Sequence, residues 1–305
     1  MNIVEYPNHA AWQQLMQRAA TVNDDAKDVV AGIIARVRQQ GDDALRDYAR
    51  QFDKVELGDL KVSASEFEKA SALVDAALKT AIATAKRNIE TFHAAQRMQD
   101  IEVETMPGVT CTQRAVPITS VGLYIPGGNS PLFSTVLMLA VPAKIAGCRN
   151  IVMCTPAGKD GSVHPAILYT AQLCGVDEVY KVGGAQAIAA MALGTSTVKR
   201  VSKIFGPGNR WVMEAKMQVS SAGVAIDMPA GPSEVMIVAD DSADPRHVAS
   251  DFLSQAEHGP DSQSILLTTS KQLAQQMPVA TEELLVKLPR REMMEKSLIK
   301  KSMGK

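Results

Sequence analysis

The tetrapeptide Gln255-Ala256-Glu257-His258 places a carboxamide and an imidazole three residues apart, at the end of a stretch with helical spacing. On a helix, positions i and i+3 project from nearly the same side, so both side chains could reach one ion. The plainer account is that a histidine near a helix C-terminus is favoured by the helix dipole. Two donors are too few for a closed zinc site, so further ligands would have to come from elsewhere in the chain or from a partner.

Glycine turns are the second feature: Pro126-Gly127-Gly128, Gly183-Gly184-Ala185-Gln186, Gly206-Pro207-Gly208-Asn209 and Ala230-Gly231-Pro232-Ser233. The first three follow runs that read as strands, where ligands of open α/β sheets collect at the carboxyl edge. Glycine lets backbone amides come close to a phosphate. Without a G-x-G-x-x-G, spacing alone names no dinucleotide, and tight turns with no ligand explain each one equally well. Tyr124 and Ser233 are polar groups beside these turns, as functional side chains or as simple turn caps. Cys111, Cys148, Cys154 and Cys174 have no ligand-like spacing and read as reduced, structural thiols. His9, His93, His164 and His247 show no partner pattern.

The elements that must position these residues follow from periodicity. Helical spacing runs through Asp24 to Gln40, Asp42 to Phe52, Ser65 to Val74 and Asp75 to Gln96. From Pro117, short β-branched runs alternate with Ala-rich helical ones, the pattern of β-α-β units and a mostly parallel sheet. Strands are expected near Ser120–Ile125, Asn150–Cys154, Glu178–Val182 and Val201–Phe205, with helices Leu132 to Ile145, His164 to Cys174, Ala185 to Leu193 and Asn209 to Val219 covering them. A strand at Glu234 to Ala239, a helix at Pro245 to His258 and a strand at Ser264 to Thr268 follow; from Lys271 the chain is helical in pattern and increasingly charged.

The 305 residues, 46% hydrophobic and 21% charged, are enough for about two globular domains. With 32 basic and 33 acidic side chains, no bulk attraction to nucleic acid or an acidic membrane is expected. No apolar run is long enough for a membrane span, and the N-terminus has no signal-peptide pattern, so a cytoplasmic protein acting on small molecules is expected.

Five blocks now combine: Ser120 to Gly128, Val182 to Ile188, Phe205 to Asn209, Ile226 to Glu234 and Leu253 to Gly259. Together with Gly41 to Leu45 and Asn88 to His93, they make the chain resemble the histidinol dehydrogenase family over nearly its whole length. The resemblance implies two Rossmann-like parallel-sheet domains, one inserted in the other, with N-terminal helices: residues 1–123 plus 233–305 form the larger domain and 124–232 the NAD-binding insertion. It implies a zinc-dependent oxidation of L-histidinol through histidinal to L-histidine, with hydride passing to two NAD molecules, in an intertwined homodimer. By matching positions, Tyr124, Gln186 and Asn209 would contact NAD, Gln255 and His258 would ligate zinc, and Ser233, Gln255 and His258 would meet the substrate.

The family's proton-transferring Glu-His pair and its remaining zinc ligands match no position among these 305 residues, so no catalytic acid or base is assigned and little histidinol oxidation is expected of them alone. A metabolite-binding protein without turnover, on the same scaffold, is one alternative. A dehydrogenase of the family for another amino alcohol is the other, since fold does not fix substrate.

Overall fold

The computed structural model describes residues 2–16, 24–127, 131–176, 178–229, 234–259 and 262–300. The chain divides into two compact units, Asn23–Pro229 and Met1–Val22 with Ala230–Lys305, the latter containing α1 (His9–Leu15).

In the first unit five parallel strands form one sheet: β3 (Ser120–Tyr124), β4 (Asn150–Thr155), β5 (Glu178–Lys181), β6 (Lys203–Phe205) and β7 (Ala225–Ile226), in the order β5-β4-β3-β6-β7. The first strand of the sheet therefore lies in the middle, and the direction of winding reverses between β3 and β6. Helices α6 (Phe133–Ile145), α7 (Pro165–Leu173), α8 (Gly184–Leu193) and α9 (Arg210–Ser221) are the connections. Both sheet faces are buried, so β3 and β4 read as continuous apolar runs rather than alternating ones. One core joins α8 and α9 to Val30, Ile33 and Val37 of α2 (Asp24–Gln40); the other joins α6 and α7 to Phe67 of α4 (Ala64–Leu73) and Ile82 of α5 (Ala76–Ala94). Helices α2, α4 and α5 thus pack in one unit with the sheet.

Between α2 and α4 the chain forms α3 (Asp42–Tyr48), which continues as a π turn, Ala49–Asp53, where a plain helix to Phe52 was expected. Lys54 then adopts a left-handed conformation, and Leu60–Val62 runs antiparallel along the free edge of β5, with the Val62 amide donating to the Val179 carbonyl at 2.9 Å and the Lys181 amide to Leu60 at 2.7 Å. A hairpin, β1 (Ile101–Met106) and β2 (Val109–Gln113), is exposed along both strands and was not anticipated. Cys111 lies on it, exposed, rather than in the structural setting expected; Cys154 and Cys174 are buried, and all four thiols are free.

In the second unit β8 (Glu234–Ala239) and β9 (Gln263–Thr268) form a parallel pair joined by α10 (Pro245–Ala256). Val248, Ala249 and Phe252 of α10 pack with Leu273, Met277 and Ala280 of α11 (Lys271–Leu285) against Ile237, Ala239 and Leu266. Helix α12 (Arg291–Lys300) adds Met294 beside Leu253 and Leu285. Met236, Val238 and Leu267 are exposed on the strands.

Candidate functional site

The carboxyl ends of β3 and β6 bracket the reversal of winding, where a crevice opens in sheets of this order. Tyr124 closes β3. Its ring is buried and its hydroxyl crosses the edge of the sheet to accept the Gly184 amide hydrogen at 3.0 Å, at the start of α8. Burial is the main cause that raises the phenol to about 12, so at neutral pH it is a neutral hydroxyl able to donate as well as accept.

Gly184 has φ of +62°, and Gly183 before it supplies no capping side chain to α8. The Tyr124 hydroxyl takes the Gly184 amide, and the Ala185 and Gln186 amides of the first turn receive no side-chain cap among the described residues, an arrangement by which helix N-termini hold phosphates. Gln186 is buried inside this first turn, against Gly184. The other helix start at this edge is differently built. Asn209 is exposed and caps α9, its carboxamide oxygen accepting from the Trp211 and Val212 amides, each at 3.1 Å.

Gly206, directly after β6, is fixed by contacts the sequence did not disclose. It has φ of +134°, and a Cβ there would collide with the Tyr124 carbonyl oxygen, so only glycine brings the two strand ends this close. Its amide donates to Asp227 at 2.9 Å and its carbonyl accepts from the Lys216 ammonium at 2.8 Å. Lys216, which is 1% exposed, also forms an ion pair with Asp227. A charge pair of a buried lysine and a half-buried aspartate thus holds the turn from both sides.

In the second unit, α10 ends at Ala256, two residues before the expected limit. The His258 amide donates to the Gln255 carbonyl at 3.2 Å, so the chain continues for one turn and keeps the two residues on adjacent positions of it. His258 is exposed; the Gln255 carboxamide nitrogen is buried with no hydrogen-bond partner. An amide can be turned so that its oxygen takes that place, so the orphaned atom suits a ligand that accepts or coordinates there. No group of three or more His, Cys, Asp or Glu suited to a metal occurs among the described residues. Gln255 and His258 therefore fit part of a metal shell and do not complete one. Ser233 lies outside the described residues.

The structure brings Tyr124 and Gln186 together around the start of α8, places Asn209 at the start of α9 on the same sheet edge, and keeps Gln255 and His258 one turn apart in the second unit. A parallel sheet wound in this order, with helix starts and glycine turns at its carboxyl edge, defines an open, doubly wound α/β protein, a class whose ligands gather in the crevice at that edge.

The histidinol dehydrogenase family profile matches residues 16–304. The chain is 57% identical over 298 residues to histidinol dehydrogenase of Bacteroides thetaiotaomicron, covering 98% of this chain and 70% of that protein. With the Escherichia coli K12 enzyme it shares 54% over 295 residues, 95% of this chain and 67% of the relative. The crystal structure of histidinol dehydrogenase from Elizabethkingia anophelis superposes with a TM-score of 0.93 at 49% identity, covering 96% of this chain and 67% of that one. This chain belongs to the histidinol dehydrogenase family, oxidoreductases of histidine biosynthesis. No helix among the described residues is long and apolar enough to cross a membrane.

Proposed function

We propose that the protein oxidises L-histidinol to L-histidine, passing hydride to NAD held at the carboxyl edge of the five-stranded sheet. The observation that carries this reading is the joint construction of the edge in a member of this family: Tyr124, Gly184 and Gly206 meet where the winding reverses, at a helix start whose first amide the Tyr124 hydroxyl holds and whose cap residue, Gly183, has no side chain. NAD would supply the hydride acceptor. The amides of the first turn of α8 suit its pyrophosphate, Tyr124 and Asn209 its sugar and amide groups, and Gln186 positions that turn from within.

Gln255 and His258 would hold zinc together with donors outside the described residues, and zinc would supply a fixed anchor for the imidazole and amino groups of histidinol. Ser233 is proposed as a substrate contact. The proposal extends to a homodimer in the cytoplasm and to the family's partition into 1–123 plus 233–305 around an inserted 124–232.

Removing a proton from the substrate hydroxyl needs a base, typically a factor of about 10²–10⁴ in rate. None is assigned among these residues, so we propose that the 305-residue polypeptide alone turns over little histidinol. The test is NADH formation from L-histidinol with zinc present, by this polypeptide and by the same polypeptide extended with the unmatched C-terminal part of the Bacteroides thetaiotaomicron relative. Turnover by the extended form alone supports the reading. Turnover by the short form overturns the assignment of the base, and inactivity of both overturns the proposed substrate.

A further inference from the structure

Asp53 is a carboxylate at the same sheet edge that the site above leaves without a role. Because Leu60–Val62 runs antiparallel to β5, the residues before Leu60 extend past the carboxyl end of that strand, toward Gly183 and Gly184. Val55 and Leu57 are buried in one core with Tyr124, Val182 and Ala185, which anchors the segment there. Asp53 closes the π turn, and the left-handed Lys54 after it turns the chain into that segment. π turns within helices occur often at functional sites.

The carboxyl is partly buried and makes no hydrogen bond or ion pair with a described residue, and burial pushes its pKa up. Its charge also acts on the Tyr124 hydroxyl, the group that accepts the Gly184 amide. A desolvated carboxylate without a donor is costly, and the hydroxyl on which this one acts holds the first amide of a helix start suited to an anion. One ligand satisfies both: a phosphate at the amides of α8 and a hydroxyl donor at Asp53. A dinucleotide carries both groups a few bonds apart, and an acidic residue facing the ribose hydroxyls is the usual means of telling NAD from NADP.

We infer that Asp53 accepts a hydrogen bond from a ribose hydroxyl of the bound dinucleotide and selects NAD over NADP. This rests on the carboxyl edge being the dinucleotide site. A 2′-phosphate would set like charge against the carboxylate, whereas a free hydroxyl pair gives it the donor it lacks.

The test is titration of the 305-residue chain with NAD and with NADP, followed by tryptophan fluorescence, for the wild type, Asp53→Asn and Asp53→Ser. Both variants remove the charge at a partly exposed position, and circular dichroism melting verifies that they fold. The wild type should prefer NAD, and the NAD to NADP affinity ratio should fall by about tenfold or more in both variants, the size expected for one charge-assisted hydrogen bond. If the wild type binds NAD and the variants keep its preference, Asp53 does not select the cofactor while the edge site stands. If the wild type binds neither dinucleotide, the edge site and the role of Asp53 fall together.

Discussion

Replacing Lys216 with methionine keeps most of the side-chain volume but removes the ammonium that bonds the Gly206 carbonyl and pairs with Asp227. Breaking a buried pair by deleting one partner costs about 3–5 kcal/mol. The Asp227 side chain is 29% exposed, so water screens part of the loss and the low end, about 3 kcal/mol, is expected. Against a typical total of about 5–15 kcal/mol this is a large fraction, and for a unit of this size it lowers Tm by about 6–12 °C. Urea and thermal unfolding followed by circular dichroism would measure it. The double variant Lys216→Met with Asp227→Asn should recover about 1–2 kcal/mol, because the stranded carboxylate is removed too. A single variant that melts within about 1 °C of the wild type would refute the claim that this pair supports the Gly206 turn.

Asn209→Ala removes both the α9 cap and the proposed cofactor contact, costing about 1 kcal/mol of stability as well as NAD affinity, whereas Asn209→Asp keeps the cap acceptor; loss of binding in the alanine variant with no change in the aspartate variant would assign Asn209 to structure alone. Gln255→Ala and His258→Ala should each lower zinc retained after dialysis, measured by atomic absorption, and unchanged zinc in both would remove them as ligands. Acid should destabilise the first unit through Asp42. Burial pushes this carboxyl up, but the hydroxyls of Thr195, Thr197 and Ser196 outweigh that and hold it below its usual 3.8. The stability it contributes is present above 3.8 and is lost as pH falls through the lower folded value, so Asp42→Asn should flatten the acid limb of a stability against pH curve.

Much of the sheet and its helices was legible because buried parallel strands and amphipathic helices write their pattern locally. Ser120–Tyr124 and Asn150–Thr155 are apolar on both faces, and Asn209 and Asp75 announce the helices they cap. The hairpin at 101–113 was not recognised, although Ile101 and Val103 alternate with Glu102 and Glu104, Val109 and Cys111 alternate with Thr110 and Thr112, and Pro107-Gly108 marks a turn between them; the structure leaves every one of these side chains exposed, so no core pairs with the pattern. The π turn ends a helix whose apolar spacing continues unbroken to Phe52. At the site, the glycine turns stood out by composition, but what holds them did not. Lys216 reads as an ordinary helical lysine, and its partners lie 10 and 11 residues away in the chain, outside its own helix. Asp53 gains its setting only once Leu60–Val62 pairs with β5, a contact across more than a hundred residues.

The location of the cofactor is tested most directly by amide hydrogen exchange of the 305-residue chain with and without NAD. NAD at this edge should slow exchange only at the ends of β3, β5 and β6 and the first turns of α8 and α9, within residues 124–127, 183–186 and 206–212. Protection centred on other segments, or none at NAD concentrations that saturate binding, would contradict that location.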